Sequence, residues 1–361
     1  MVFHVPYRLN PQATSASGIR PVKMRAAFET LGYDVLEVSG SVRERGAQMK
    51  NVRREIKAGR KIEFVYSESS TRPNAFSESF RTPHPFLDNS FLRFCRQHDI
   101  PVGLFYRDIY WKFSDFTASV GRLAATVLRS FYLLDVLGYR SATDILFVPS
   151  MRMAEVVPFT RLERCEALPP ASDPVTSANP RTLTLFYVGG LGTHYRLHEA
   201  VRAVGAVDGA KLTICAPQQQ WQGESASYAD VLTDATQVVH ASGADLETFY
   251  AQASMGCLFL EPIGYREFAA PFKLYEYLGH GKPIIAAQGT LAGDFVEAND
   301  IGWAIPYTSD ALVSLLEKIK KSPKLLEDKA ANALRVREAH TWSARAAQVA
   351  KSLADIRGTR R

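Results

Sequence analysis

The sequence predicts an α/β chain of two Rossmann-like domains with parallel sheets. Three observations carry this. Short apolar runs alternate with helical stretches along the whole chain, a proline-rich segment at 166–181 interrupts the alternation near its middle, and 361 residues suit two domains. Strands separated by helices imply right-handed βαβ crossovers and parallel pairing.

Residues 2–5 read as the first strand, followed by a polar loop over 6–20. Pro21 then opens a helix that Gly32 closes, proline inside the start and glycine past the end. Strand 34–38, a polar helix 41–58 ended by Gly59, and strand 62–66 follow. Helix 87–98, strand 101–106, a long helix over 119–137 and strand 145–148 complete the first half. The segment 166–181, EALPPASDPVTSANPR, holds four prolines and no apolar period, so it reads as a linker. Beyond it come strands at 183–188, 211–215, 237–240, 255–260 and 283–287, with helices at 197–204, 246–252 and 272–278 among them. Three helices at 310–320, 323–339 and 343–356 end the chain. The expected domains are therefore 1–165 and 182–340 around the linker, with 341–361 a C-terminal helix that crosses back to the first.

Composition excludes several classes. Hydrophobic residues make up 46% and charged residues 22%, which rules out disorder, and no apolar run approaches the ~20 residues of a membrane span. Residues 1–6, MVFHVP, lack a basic segment and an apolar core, so a cytoplasmic location without a signal peptide is expected. Four cysteines at 95, 165, 215 and 257 fit neither a metal site nor a disulfide framework, and His84, His194, His240 and His280 show no ligand spacing. The net charge of +6 is divided unequally. Residues 1–165 hold 24 Lys and Arg against 16 Asp and Glu, or +8, and the remainder 19 against 21, or −2. A basic half suits nucleic acid, an anionic membrane or an anionic substrate, and equally a solvated face.

The strongest constellation is FAAPFKLYEYLGHGKPIIAA, residues 268–287. A short helix carries Lys273 and Glu276 at i, i+3, on one side. A carboxylate there can accept two ribose hydroxyls, and a lysine one turn earlier can neutralise a diphosphate. The other reading of the pair is a surface ion pair worth a few tenths of a kcal/mol. A second element, FYVGGLG at 186–192, runs a strand into a glycine-rich turn and a helix whose N–H groups can meet phosphate oxygens, at Gly189 and Gly190.

This stretch resembles the donor-site signature of GT-B glycosyltransferases, those like family GT4 in particular. Pro271, Lys273, Glu276, Tyr277, Leu278, Gly281, Lys282, Pro283 and Ile284 fall on its pattern. The resemblance implies the GT-B fold, two Rossmann-like domains with parallel sheets facing across a cleft. It implies an enzyme of the exopolysaccharide, capsule or lipid-linked glycan type, with Glu276 on the ribose of a nucleotide sugar. Many such enzymes have a second glutamate on the donor sugar, where this sequence has Phe268. Glu267, one residue earlier, is assigned that role, and the alternatives are Glu261 or no first glutamate at all. The arginine and lysine usual near the first glycine-rich turn are absent, and Arg196 and Lys273 are assigned to the diphosphate. Residues 288–290, with Thr290, resemble the phosphate-side loop, and 341–345 the start of the last helix, where Trp342 reads as packing.

In the first half, PVGLFYRDIYWKF at 101–113 places Arg107 and Asp108 just past a strand, where GT-B enzymes carry general-base candidates. Asp108 is the catalytic nominee, with Arg107 its ion-pair partner or a cation facing an acceptor phosphate. Gly18 and Arg20 resemble the glycine-containing loop that closes over donor and acceptor. Over 119–137, Val120, Leu123, Ala124, Val127, Leu128, Phe131 and Leu134 follow the helical period and are assigned to the core, leaving Arg122 and Arg129 on the other face. That basic face reads as solvated, or, with Tyr110, Trp111, Lys112 and Phe113 as anchors, as a contact with anionic lipid through Trp111 to Arg129.

The sequence thus points to a hexosyl-type glycosyltransferase (EC 2.4) of polysaccharide biosynthesis, peripheral on the inner membrane face. It would move sugar from a nucleotide diphosphate sugar to a glycan or lipid-linked acceptor. No cofactor and no metal are expected, since no Asp-x-Asp motif is present. GT4-like behaviour implies retention, a true base at Asp108 implies inversion, and both stay open. The alternatives are a sugar-nucleotide epimerase of the same fold and a basic nucleic-acid-binding protein. The latter finds no RNP, KH or helix-turn-helix pattern, and nucleic acid is not an expected partner.

Overall fold

The computed structural model describes residues 1–13, 15–192, 195–262 and 270–359. It divides into two compact units, Met1–Pro169 with Trp342–Arg361, and Pro170–Thr341.

In the first unit the chain runs β1 (Val2–His4), α1 (Ala16–Thr30), β2 (Leu36–Val38), α2 (Val42–Lys57), β3 (Val65–Glu68), α3 (Leu87–Gln97) and β4 (Val102–Phe105). It continues through α4 (Ser114–Val120), α5 (Arg122–Ala142), β5 (Ile145–Val148), α6 (Met151–Val156) and β6 (Cys165–Ala167). All six strands are parallel, in the order β2-β1-β3-β4-β5-β6. The four central strands β1, β3, β4 and β5 are buried throughout, and Phe3, Phe28, Phe64 and Tyr66 pack ring against ring between β1, β3 and α1.

The second unit runs β7 (Leu183–Val188), α7 (His198–Ala206), β8 (Ala210–Cys215), α8 (Gln218–Glu224), β9 (Thr236–Val239), α9 (Leu246–Gln252) and β10 (Met255–Leu258). Then come α10 (Phe272–Gly279), β11 (Ile284–Ala287), α11 (Leu291–Ala298), β12 (Gly302–Ile305), α12 (Ser309–Lys321) and α13 (Lys324–Val336). Its parallel sheet has the order β12-β11-β10-β7-β8-β9. Alternate residues of each strand feed two separate cores. Leu185, Tyr187, Cys257 and Ile285 enter one, and Phe186, Leu258, Ile284 and Ala286 the other, as the two-residue strand period requires.

The last helix, α14 (Trp342–Thr359), belongs to the first unit. Arg345 donates to the Pro169 carbonyl at 3.2 Å and Gln348 to Glu166 at 2.7 Å. Trp342 is buried, as its packing assignment expects. Residues 165–167, placed partly in the linker by composition, form the edge strand β6 on β5. Among the described residues no helix is long and apolar enough to cross a membrane.

In open parallel sheets, ligands bind at the carboxyl ends of the two strands where the order of strand addition reverses. In the second sheet that point lies between β7 and β10, and in the first between β1 and β3.

Candidate functional site

In the second unit, α10 begins after Pro271 and ends in a Schellman motif. The Lys282 N–H reaches the Tyr277 carbonyl and the Gly281 N–H the Leu278 carbonyl, both at 2.9 Å, with Gly281 at φ +64°. A Cβ at position 281 would also strike Leu334 at 2.5 Å. The turn sends Lys282 into the interior, where its ammonium, fully buried, donates to the carbonyls of Ala178 and Ala253 and ties the connecting segment to the unit. Burial pulls its pKa down to about 8.

The same helix carries Lys273 and Glu276, partly buried beside the end of β7. The Tyr277 hydroxyl accepts the Val188 N–H at 3.1 Å, which fixes α10 against that strand end. The Lys273 ammonium stands 5.2 Å from the Tyr187 ring centre and 4.9 Å from that of Tyr195, within cation–π range. It lies directly over Gly189. Both side chains are partly buried and the Lys273 charge acts on the Glu276 carboxylate, so the pair is not the solvent-exposed one of the surface reading. Among the described residues, the Glu276 carboxylate accepts no hydrogen bond. Burial raises its pKa, the Lys273 charge opposes that, and the Tyr250 hydroxyl bears on it without reaching hydrogen-bond geometry. Tyr250 itself stacks on His280 at 3.8 Å. A carboxylate beside an ammonium, with a tyrosine hydroxyl near it, is fit to accept hydroxyl donors next to a bound anion.

The other donor-side candidates are placed differently. Arg196 is exposed, with Nη1 3.5 Å from Glu261, so these two candidates meet each other. Gly190 accepts the Tyr187 hydroxyl on its carbonyl at 2.5 Å. Thr290 is a helix cap: its hydroxyl accepts the Gly293 N–H at 3.0 Å and donates to Ala287 at 2.7 Å, so the fold already uses it. Glu267 and His194 lie outside the described residues.

In the first unit, Gly18 and Arg20 are in the first turns of α1 rather than in a loop, because the helix starts at Ala16 and takes Pro21 inside it. Pro21 has no N–H for the carbonyl four residues back, that of Ser17. Arg107 fills the vacancy, donating to the Ser17 oxygen at 2.5 Å. Its guanidinium also donates to the Tyr7 hydroxyl at 2.5 Å and to Glu68 at 3.3 Å. Arg107 therefore pairs with Glu68 and not with Asp108, because the strand end turns the two neighbouring side chains apart. Arg20 lies 3.6 Å over the Phe105 ring, with Nε 3.3 Å from the other oxygen of Glu68. Two guanidiniums thus share one buried carboxylate, and Nε and Nη2 of Arg20 and Nε of Arg107 have no hydrogen-bond partner. The excess positive charge and unused N–H groups suit an anion. Asp108 is partly buried, its oxygen accepting the Tyr110 N–H at 3.2 Å, and burial raises its pKa.

The helix expected over 119–137 is two helices, since Gly121 at φ +85° breaks it; Arg122 is exposed as expected, and Leu128 and Phe131 pack inward, Phe131 on Phe76, but the first apolar positions face out. Leu123 is 88% exposed and Val127 55%. Arg129 turns inward onto the carbonyls of Trp111 and Phe113 and the Thr117 hydroxyl. Trp111 is buried and donates to Tyr106 at 2.8 Å. Neither residue can serve as the expected lipid anchor.

Sequence reasoning missed Glu68, Tyr7 and a fully buried cluster beneath them. His4 meets Asp88 at 2.9 Å and Ser67 at 2.8 Å, and Arg45 reaches both Asp88 oxygens and the carbonyls of Pro6 and Gly40. The available signal was a polar residue at the end of an otherwise apolar buried strand, which demands a partner.

Residues 195–351 match the model of a glycosyl transferase-like family. No curated protein matches the chain. Among solved structures it is similar to Anabaena Alr3699/HepE, solved with UDP and glucose, at 12% identity over 98% of this chain and 99% of that one, TM-score 0.62. It is also similar to sucrose-phosphate synthase from Thermosynechococcus elongatus, at 14% identity over 99% of each chain, TM-score 0.63. A glycosyltransferase from Rickettsia africae gives 10% identity over 98% of each, TM-score 0.60. Residues 195–351 are thus similar to a glycosyl transferase-like family, and the chain as a whole has the GT-B fold.

Proposed function

We propose that the protein is a glycosyltransferase of the hexosyl type that moves sugar from a nucleotide diphosphate sugar to an anionic glycan or lipid-linked acceptor. The observation that carries the reading is the meeting of Gly189, Lys273 and Glu276 at the strand-order reversal of the second sheet. Glu276 takes the ribose hydroxyls, and Lys273, with the N–H groups of the glycine turn, takes the diphosphate as its charge develops. Arg196 adds a cation at the rim and Glu267 contacts the donor sugar. That Alr3699/HepE was solved with UDP supports a nucleoside diphosphate here. The sequence has no Asp-x-Asp motif to hold a metal on the diphosphate, which supports a metal-independent transfer.

The first unit takes the acceptor. Arg20 and Arg107 hold its anionic group, and Asp108 accepts a hydrogen bond from its reacting hydroxyl. We assign retention of anomeric configuration, on the order of the motif around Glu276.

The test is incubation with a panel of nucleotide sugars and a phosphate-bearing glycan acceptor, followed by product chromatography. Release of a nucleoside diphosphate with a glycosylated acceptor is expected. An epimerised nucleotide sugar without transfer, or no turnover together with no nucleotide binding, overturns the reading.

A further inference from the structure

We propose that Tyr250 is a positioning residue for Glu276: its hydroxyl donates to one carboxylate oxygen and sets the plane in which Glu276 meets the ribose. The inference rests on the donor-site reading of Glu276 and Lys273.

Tyr250, on α9, is 3% exposed, and among the described residues its hydroxyl has no hydrogen-bond partner. A hydroxyl taken from water and left unpaired is destabilising, and a phenylalanine would fill the same space without that cost. The ring is held on three sides. Phe186 of β7 meets it edge-on at 5.1 Å, Tyr277 of α10 lies 6.0 Å away, and His280 stacks on it with 9° between the planes.

His280 caps α10, and its N–H donates to the Glu276 carbonyl at 3.1 Å, so the two residues stand at i and i+4 on one face. A ring stacked on His280 is therefore beside the glutamate one turn back. Burial and Glu247 of α9 oppose the charge on Glu276, whereas Lys273 and the Tyr250 hydroxyl favour it. His280 adds no charge at neutral pH, because burial pulls its pKa down to about 4. The other cations packed at this helix end, Lys282 and Arg337, donate to backbone carbonyls. The clamped ring cannot move toward the carboxylate, but Glu276 turns about its side-chain bonds, so the bond forms by rotation of the glutamate. A carboxylate offers about four acceptor directions, enough for the tyrosine and both ribose hydroxyls.

The experiment is calorimetric titration of the wild type, Tyr250→Phe, Glu276→Ala and the double variant with UDP, ADP and GDP, from neutral pH downward. For the nucleotide that binds the wild type, Tyr250→Phe should lower affinity about fivefold without lowering the melting temperature of the free protein. It should also move the acid limit of binding to higher pH, because Glu276 loses a donor that favours its ionised form. In the Glu276→Ala background the same change should alter affinity by less than about a factor of two. If Tyr250→Phe melts lower, the acid limit decides, since a packing defect weakens binding alike at every pH. Unchanged affinity and acid limit in Tyr250→Phe, while Glu276→Ala weakens binding at least tenfold, overturns the proposal alone. A fivefold loss from Tyr250→Phe that persists in the Glu276→Ala background does the same. Equal affinity of the wild type and Glu276→Ala, or no nucleotide bound by the wild type, overturns the donor-site reading and the proposal with it.

Discussion

The ammonium of Lys273 occupies the space a side chain at position 189 would fill: a Cβ built on Gly189 meets Lys273 Cε and Nζ at 1.8 Å. Two residues 84 positions apart in sequence are thereby one feature. Gly189→Ala should displace the lysine from the mouth of β7 and strain a backbone at φ +150°. Nucleotide affinity measured by calorimetry should fall at least tenfold, while thermal denaturation registers about 1 kcal/mol. A variant that binds normally would show that Lys273 needs no fixed position.

Asp108 tests the acceptor side separately. Asp108→Asn keeps the volume and the ability to accept the Tyr110 N–H, but removes the charge. Transfer should drop at least a hundredfold with donor affinity within a factor of about three. Full activity would remove Asp108 from the reaction.

Glu68 lies between Arg20 and Arg107 and is fully buried. Glu68→Gln should cost about 3–5 kcal/mol, because two guanidiniums lose their common counter-charge in the interior. That corresponds to a fall in melting temperature on the order of 10 °C. Adding Arg20→Met to Glu68→Gln should restore part of the loss.

The pH dependence of stability has an identified source in Asp135. It is buried on α5, accepts the Asn74 N–H at 2.7 Å, and burial raises its pKa from the ordinary 3.8 to about 7. Between these values the folded protein holds a proton that the unfolded chain has released, so this contribution is full below pH 4 and is lost as pH rises toward 7. The slope is about 1.4 kcal/mol per pH unit within the window. Asp135→Asn should flatten the melting temperature over pH 5–7 and raise it at pH 8. An unchanged profile would mean that Asp135 is ionised in the folded state.

The second unit was legible because its signals are local. A strand, a glycine turn, a helix with Lys273 and Glu276, and a glycine stop follow each other within short windows, and β7, α10 and β11 form close to where their patterns place them. The first unit hides its site because its contacts are long-range. His4 with Asp88, Arg107 with Ser17 and Glu68 with Arg20 join residues from separate elements. The helix over 119–137 failed for a different reason. Its apolar period is real from Leu128 onward, but Leu123 and Val127 in the first turns of α5 have no neighbour among the described residues to cover them, and a period in sequence does not say where along a helix its packing partner begins.

The central claim is that Glu276 and Lys273 form the seat of a nucleoside diphosphate. Its most direct test is calorimetric titration of the wild type and Glu276→Ala with UDP, ADP and GDP. One nucleotide should bind the wild type, and its affinity should fall at least tenfold in the variant while the melting temperature without ligand stays within a few degrees. Equal affinity in the two proteins, or no nucleotide binding by the wild type, would contradict the claim.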